Sequence, residues 1–281
     1  MQPEQKVVEI AGVPTRYQIA GSGAFLLLLH GLGDNLADWQ WVLPHLADRY
    51  RVCALDLPGF SGLCGQLPSY ALDFFTQYVL AFLTELEVDQ AGLIGNSLGG
   101  LIALQLALVA PSRVGALVLA DSAGLGRAIH PTLRALTTPG YGDLATAWAS
   151  TAPGAAQRAT FRRSLLFAQP ARAPKDWFVE QYRLAQRPYV MSNALRTLRA
   201  HVSARGQRSV LLDQLPKVAP PTLIVWGEQD SVVPPSQAQQ ALQLLPKGDL
   251  VLVPACGHLP HVEQPERFVA AVRQFVRKSF A

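Results

Sequence analysis

The sequence predicts an α/β protein built on a doubly wound, mostly parallel sheet. Three observations carry that expectation. Short, continuous apolar runs recur along the chain. Longer stretches with helical spacing separate them. Glycine-containing turns sit where several of the runs end. A continuous apolar run fits a strand buried on both faces, and parallel strands need crossover helices between them.

The elements follow in order. Val7 to Ile10 and Thr15 to Ala20 read as an early hairpin, with Gly12 and Pro14 between them. Ala24 to Leu29, Arg51 to Asp56, Ala91 to Asn96 and Val114 to Asp121 read as buried strands, as do Thr222 to Gly227 and Leu250 to Pro254. Helical patterns fill the gaps: Ala37 to Arg49, Ser69 to Glu87, and Leu98 to Ala110, which Pro111 stops. Pro235 to Leu245 and Pro265 to Ser279 complete that set.

The segment from Leu125 to Asp213 breaks the alternation. It leans helical, is punctuated by Pro131, Pro139, Pro153, Pro170, Pro174 and Pro188, and reads as a helical insertion between two strands. It also carries a charge of +9, whereas the rest of the chain carries −5 and the whole +4. Such asymmetry suggests a separate subdomain with its own task. The division expected is a core at 1–124 and 214–281 with a helical cap at 125–213. The cationic excess fits an anionic substrate, an anionic lipid surface, or a merely solvated face. No stacking aromatics accompany the scattered arginines, so a nucleic-acid partner is not expected.

Composition excludes several classes. The chain has 281 residues, 49% of them hydrophobic and 16% charged, enough for a sizeable core and against global disorder. Its apolar runs are too short for the ~20 residues of a membrane span. The start, MQPEQKVVEI, lacks the basic and apolar regions of a signal peptide, so a cytoplasmic protein is expected. Cys53, Cys64 and Cys256 are odd in number and widely spaced, which fits neither a disulfide framework nor a zinc site. No metal or cofactor is expected, and the partner expected is a small-molecule substrate.

Four motifs carry chemistry. Gly95-Asn96-Ser97-Leu98-Gly99 follows a strand and opens a helix, the context of a G-x-S-x-G nucleophile turn. Ser97 is the expected nucleophile. His30-Gly31-Leu32-Gly33 follows the strand ending at Leu29, where glycines let backbone amides face a site. The amides of Leu32 and Leu98 are the expected oxyanion donors, and His30 is expected to be structural. Gly227-Glu228-Gln229-Asp230 and Gly257-His258 follow the last two strands. The order Ser97, Asp230, His258 is that of a hydrolase triad. His258 would move the proton and Asp230 would orient the imidazole. Asp121, at the end of its strand, competes for the acid role. Trp39, with Trp41, and Phe60 either line the pocket or pack a helix start and a loop.

With these motifs the chain resembles the α/β-hydrolase superfamily over nearly its whole length. The matching pieces are HGLGD at 30–34, DLPGFS at 56–61, GNSLGG at 95–100, WGEQDSVVP at 226–234 and GHLPHVEQPERF at 257–268. The resemblance implies the α/β-hydrolase fold: an eight-stranded, mostly parallel sheet flanked by helices, with a helical cap inserted after strand 6. It implies a serine hydrolase of the carboxylesterase or lipase kind, acting without a cofactor. GNS and the GHLPHVEQPERF tail also resemble the carbon–carbon hydrolases of meta-ring-fission products, where a cap arginine such as Arg183 would bind a substrate carboxylate. Those enzymes usually show HGxGPG and a Trp after the catalytic His. Here Asp34 and Asn35 follow HGLG, and Leu259 follows His258. A small-molecule receptor on the same scaffold is the rival from another class.

Overall fold

The structure, a computed structural model, describes residues 3–280. The chain opens with β1 (Glu4–Ile10) and β2 (Val13–Ala20), paired antiparallel across a turn in which Ala11 and Gly12 both take positive φ. β3 (Phe25–Leu29), β4 (Arg51–Leu55), β5 (Ala91–Asn96) and β6 (Val114–Ala120) follow. A two-residue hairpin, β7 (Val202–Ser203) and β8 (Gly206–Gln207), lies outside the main sheet. β9 (Thr222–Gly227) and β10 (Gly248–Val253) finish the set. The main sheet has eight strands in the order β1-β2-β4-β3-β5-β6-β9-β10. β2 runs antiparallel to both neighbours, and every pair from β4 to β10 is parallel.

The apolar runs are continuous because the sheet is covered on both sides. Leu27 and Leu29 of β3 join Leu93, Leu117, Ile224 and the helices Leu72–Glu85 and Leu98–Val109 on one face. Leu26 and Leu28 point the other way, where they meet Ile94, Val118, Val225 and the helix Pro265–Ser279. That is the period-two alternation of a strand with two apolar environments. The chain runs from β3 out to β4 and then back across to β5, so the winding direction reverses between β3 and β5. In open α/β sheets the carboxyl ends of strands at such a reversal border a crevice.

Between β6 and β9 the chain leaves the sheet and forms five α-helices: Pro131–Leu136, Tyr141–Ala149, Ala152–Leu166, Lys175–Gln186 and Val190–His201. Several prolines of this segment start helices rather than break them. Pro131 and Pro153 stand in first turns, where a missing N–H costs nothing, and Pro174 is an N-cap. The pattern expected over Ala37 to Arg49 resolves into a 3-10 turn at Leu36–Trp39 and a short helix at Leu43–Ala47. Among the described residues, no helix is long and apolar enough to cross a membrane.

Buried histidines tie this fold to pH. His261 stacks on Trp39 at 4.3 Å between ring centroids, and neither ring nitrogen has a partner among the described residues. Burial pushes its pKa down to about 3, and that of His201 down to about 4. Both stay neutral in the fold, while the unfolded chain takes up protons below about pH 6.5. Their contribution to stability is therefore complete above that pH and shrinks as pH falls. Urea unfolding will show lower stability at pH 5 than at pH 7, and His261→Leu will narrow the gap. An unchanged gap in the variant would contradict this account.

Candidate active site

A sharp turn joins β5 to the helix Leu98–Val109. Ser97 sits there with φ 52 and ψ −113, a conformation that an L-residue holds only when its surroundings dictate it. The surroundings do so through glycine. A Cβ on Gly95 would collide with the backbone of Gly99 and Gly100, one on Gly99 with the Leu29 and His30 carbonyls, and one on Gly100 with Ser122. The Ser97 amide donates to the Ala120 carbonyl at 3.0 Å, and its carbonyl accepts from Leu101 and Ala123. The hydroxyl-bearing residue is thus the half-exposed point of an otherwise buried turn.

His258 faces the same cavity as Ser97. Its Nδ1 lies 2.8 Å from Asp230 Oδ2, and Asp230 Oδ1 accepts from the Val232 and Val233 amides at 2.8 and 3.2 Å. The carboxylate thus has three donors and a fixed orientation. Asn96, a neighbour of Ser97, donates through Nδ2 to the carbonyls of Ala120 (3.2 Å) and His258 (3.1 Å). It ties the serine turn to the histidine loop across 162 residues. Nothing in the sequence singled out that role. Asp121 is not the imidazole's hydrogen-bond partner; it lies close to both Asp230 and His258 and accepts from the Gly227 amide at 2.9 Å.

The loop after β3 supplies the other wall. His30 bridges two segments: its Nε2 accepts from the Leu57 amide at 2.9 Å and its Nδ1 bonds the Gly31 carbonyl at 2.8 Å. Burial lowers its pKa, so it stays a neutral strut. Leu32 and Leu98 both line the cavity. As the first residue of its helix, Leu98 has no intrahelical acceptor for its N–H. Among the described residues the Leu32 amide also has no acceptor. Two free amides beside a hydroxyl and an oriented imidazole can stabilise an oxyanion as it forms.

The cavity measures about 450 Å³. Its floor is the serine turn, and its walls and roof come largely from the insertion, including Leu133, Trp148, Phe161, Leu165 and Leu198. Two arginines enter it from the helix Ala152–Leu166. Arg162 pairs with buried Asp34 at 2.6 Å, and Arg158 donates to the Gly33 carbonyl at 3.1 Å. Gln181 adds a 2.8 Å bond to Asp34. Burial pushes the Asp34 carboxyl up, but Arg162, His30, Arg158 and the Gln181 hydrogen bond together outweigh it, and the net shift is downward. Burial and the neighbouring Arg162 push Arg158 down to about 9.

Trp39, Phe60 and Arg183, the candidates for the pocket, are not among the residues that line this cavity. Trp39 is fully buried against His261, in the core beneath the helix start. Phe60 is fully buried with its ring edge-on to His30 at 5.5 Å, packing the loop. Arg183 faces solvent. Arg158 and Arg162, four residues apart on one helix face, line the cavity instead.

The fold has known relatives. A family model described as alpha/beta hydrolase fold matches residues 25–265. A pimeloyl-[acyl-carrier protein] methyl ester esterase from Aeromonas hydrophila is 32% identical, over 91% of this chain and 96% of that protein. A 2-hydroxy-6-oxo-6-(2'-aminophenyl)hexa-2,4-dienoic acid hydrolase from Metapseudomonas resinovorans is 29% identical, over 98% and 91%. The crystal structure of a membrane phospholipase A superposes with a TM-score of 0.81 at 28% identity, covering 99% of this chain and 86% of that one. The chain belongs to the α/β-hydrolase family.

The glycine packing makes a direct prediction. Gly99→Ala forces a methyl into the Leu29 and His30 carbonyls and will destabilise the fold by about 1–3 kcal/mol, read as a lower Tm. Gly65→Ala, where a Cβ meets nothing, is the control. Equal Tm values for the two variants would contradict the packing argument.

Proposed function

We propose that this hydrolase cleaves an ester-like acyl bond through an acyl-enzyme on Ser97. One observation carries the reading. The Ser97 hydroxyl, the Asp230-oriented His258 and the free amides of Leu32 and Leu98 border one largely apolar cavity. In this mechanism the His258 Nδ1–H donates to Asp230, which leaves Nε2 free to accept the Ser97 proton. Ser97 Oγ attacks the acyl carbonyl, and the amides of Leu32 and Leu98 take the developing negative charge. His258 then protonates the leaving group. Water, deprotonated by the same imidazole, releases the acid and restores Ser97. Leu133, Phe161, Leu165 and Leu198 suit an apolar acyl chain, and the insertion serves as the cap that covers it. The relative named as a methyl ester esterase supports an ester substrate.

A second reading has its own observation. Arg158 and Arg162 line the cavity, where they can meet a substrate carboxylate. That favours carbon–carbon bond hydrolysis of a dienoic acid, the activity in the name of another relative. One experiment separates the two. Hydrolysis of p-nitrophenyl esters from acetate to palmitate will show multiple turnover, with a preferred chain length set by the cavity. Ser97→Ala will lower kcat by about 10⁴ or more. An enzyme inert to every ester but active on a dienoic acid would overturn the ester reading. A single turnover with retained product would point to a receptor.

A further inference from the structure

Asp121 is a buried carboxyl beside the Asp230–His258 pair that the mechanism above leaves without a task. It stands one residue past β6 with φ 43, a left-handed conformation unusual for a residue other than glycine. Its side chain is sealed from solvent. Oδ1 accepts the Gly227 amide at 2.9 Å. Oδ2 is buried and has no hydrogen-bond partner among the described residues. Beside it is Asp230: one ligand atom each from Asp121, Asp230 and His258 lie within 4.8 Å of one another.

Two ionised carboxylates in that position would offer only acceptors to each other, and both would be desolvated. A single proton resolves both problems. It converts Asp121 Oδ2 into a donor and removes one of two buried negative charges. The groups around it leave little alternative. Asp230 faces it from the loop after β9; Cys256, His258 and Glu263 come from the segment after β10. The nearby charges that act on it, Asp230 and Glu263, are both negative. Burial, with Asp230 second, holds its carboxyl well above the usual carboxylate range. A cation shared by the three ligands is the other way to satisfy the cluster.

We propose that Asp121 and Asp230 share one proton, with Asp121 acting as a positioning residue that donates to the carboxylate holding His258. The proton stays between the two carboxyls throughout turnover, and no bond to substrate is involved. The donated hydrogen bond keeps Asp230 ionised and aimed at Nδ1. It also makes Asp121 a reserve acid: with Asp230 neutralised, Asp121 loses its repulsive neighbour and is the carboxyl left beside the imidazole. The catalytic part of this inference rests on the roles proposed for Ser97, Asp230 and His258.

The test has a kinetic and a spectroscopic arm. In the kinetic arm, pH profiles of ester hydrolysis are compared for wild type, Asp121→Leu, Asp121→Asn, Asp230→Asn and the double Asn variant. Asp121→Leu will lower kcat by about tenfold with little change in KM, and will move the acidic limb of the profile upward, because a carboxylate stripped of a donated hydrogen bond holds the imidazolium more firmly. Asp121→Asn, whose amide donates in the same place, will restore most of the loss. Asp230→Asn will lose less than the ~10⁴ expected of an isolated triad acid, and adding Asp121→Asn will cost at least another tenfold. A wild-type profile for Asp121→Leu, or a double variant equal to Asp230→Asn, would overturn the proposal. If Asp121→Leu does not fold, the two Asn comparisons still decide. In the spectroscopic arm, Ser97→Ala at pH 7 will show an infrared band of a protonated carboxylic acid that Asp121→Asn removes. That arm needs no activity, so it stands even if the ester reading fails. No such band, or a chelator-sensitive metal found by elemental analysis, would overturn it.

Discussion

The backbone of Ser97 is the constraint on which the rest of this molecule depends. A residue with φ 52 at the end of a buried strand persists only if its neighbours leave no other arrangement. Here β5 is pinned on both sides, by β3 and by β6, and the next helix begins at Leu98. Strand and helix approach so closely that Gly95, Gly99 and Gly100 have no room for a Cβ. The strain is local, and the burial that holds it is spread over two apolar layers. Moving the serine therefore means moving the middle of the sheet.

A second set of contacts locks the insertion to that centre. The helix Ala152–Leu166 reaches the loop after β3 through Arg158 and Arg162. The Leu166 carbonyl, at the end of the same helix, accepts the His258 amide at 2.7 Å. Glu263 accepts from Ala168, Gln169 and Gly257, bracing the histidine loop against the insertion. Arg199 pairs with Asp143, and Arg187 with Glu180, inside the insertion itself. Several arginines behind the +9 balance are thus mortar between elements, while Arg127, Arg134, Arg183, Arg196 and others face solvent.

The sheet was legible because its signal is local. Runs such as FLLLL and TLIVWG state their two-sided burial outright, and the extents of β5, β9 and the last helix match the expected ones. The turn carrying Ser97 was legible because glycine spacing encodes its geometry. What escaped was set by tertiary contact. Asn96 bonds a carbonyl 162 residues away, and no pattern reports that. The closeness of Asp121 to Asp230 depends on two strand ends meeting, and the sequence, which favours Asp230 as the acid and leaves Asp121 as its competitor, does not report it. Trp39 and Phe60 each left two readings open, because an aromatic beside a glycine loop gives no sign of which side it packs on; the structure buries both. Arg183 stood only as an example of a cap arginine; which arginines enter the cavity is set by how the helices pack, and Arg158 and Arg162 do.

The central claim is that Ser97 is a nucleophile activated by its place in the fold. Labelling with a fluorophosphonate, followed by intact-mass and peptide analysis, addresses it without any choice of substrate. The account predicts one adduct per chain, located on Ser97, absent in Ser97→Ala and formed far more slowly in His258→Ala. No adduct on the folded protein, or one on another residue, would contradict it.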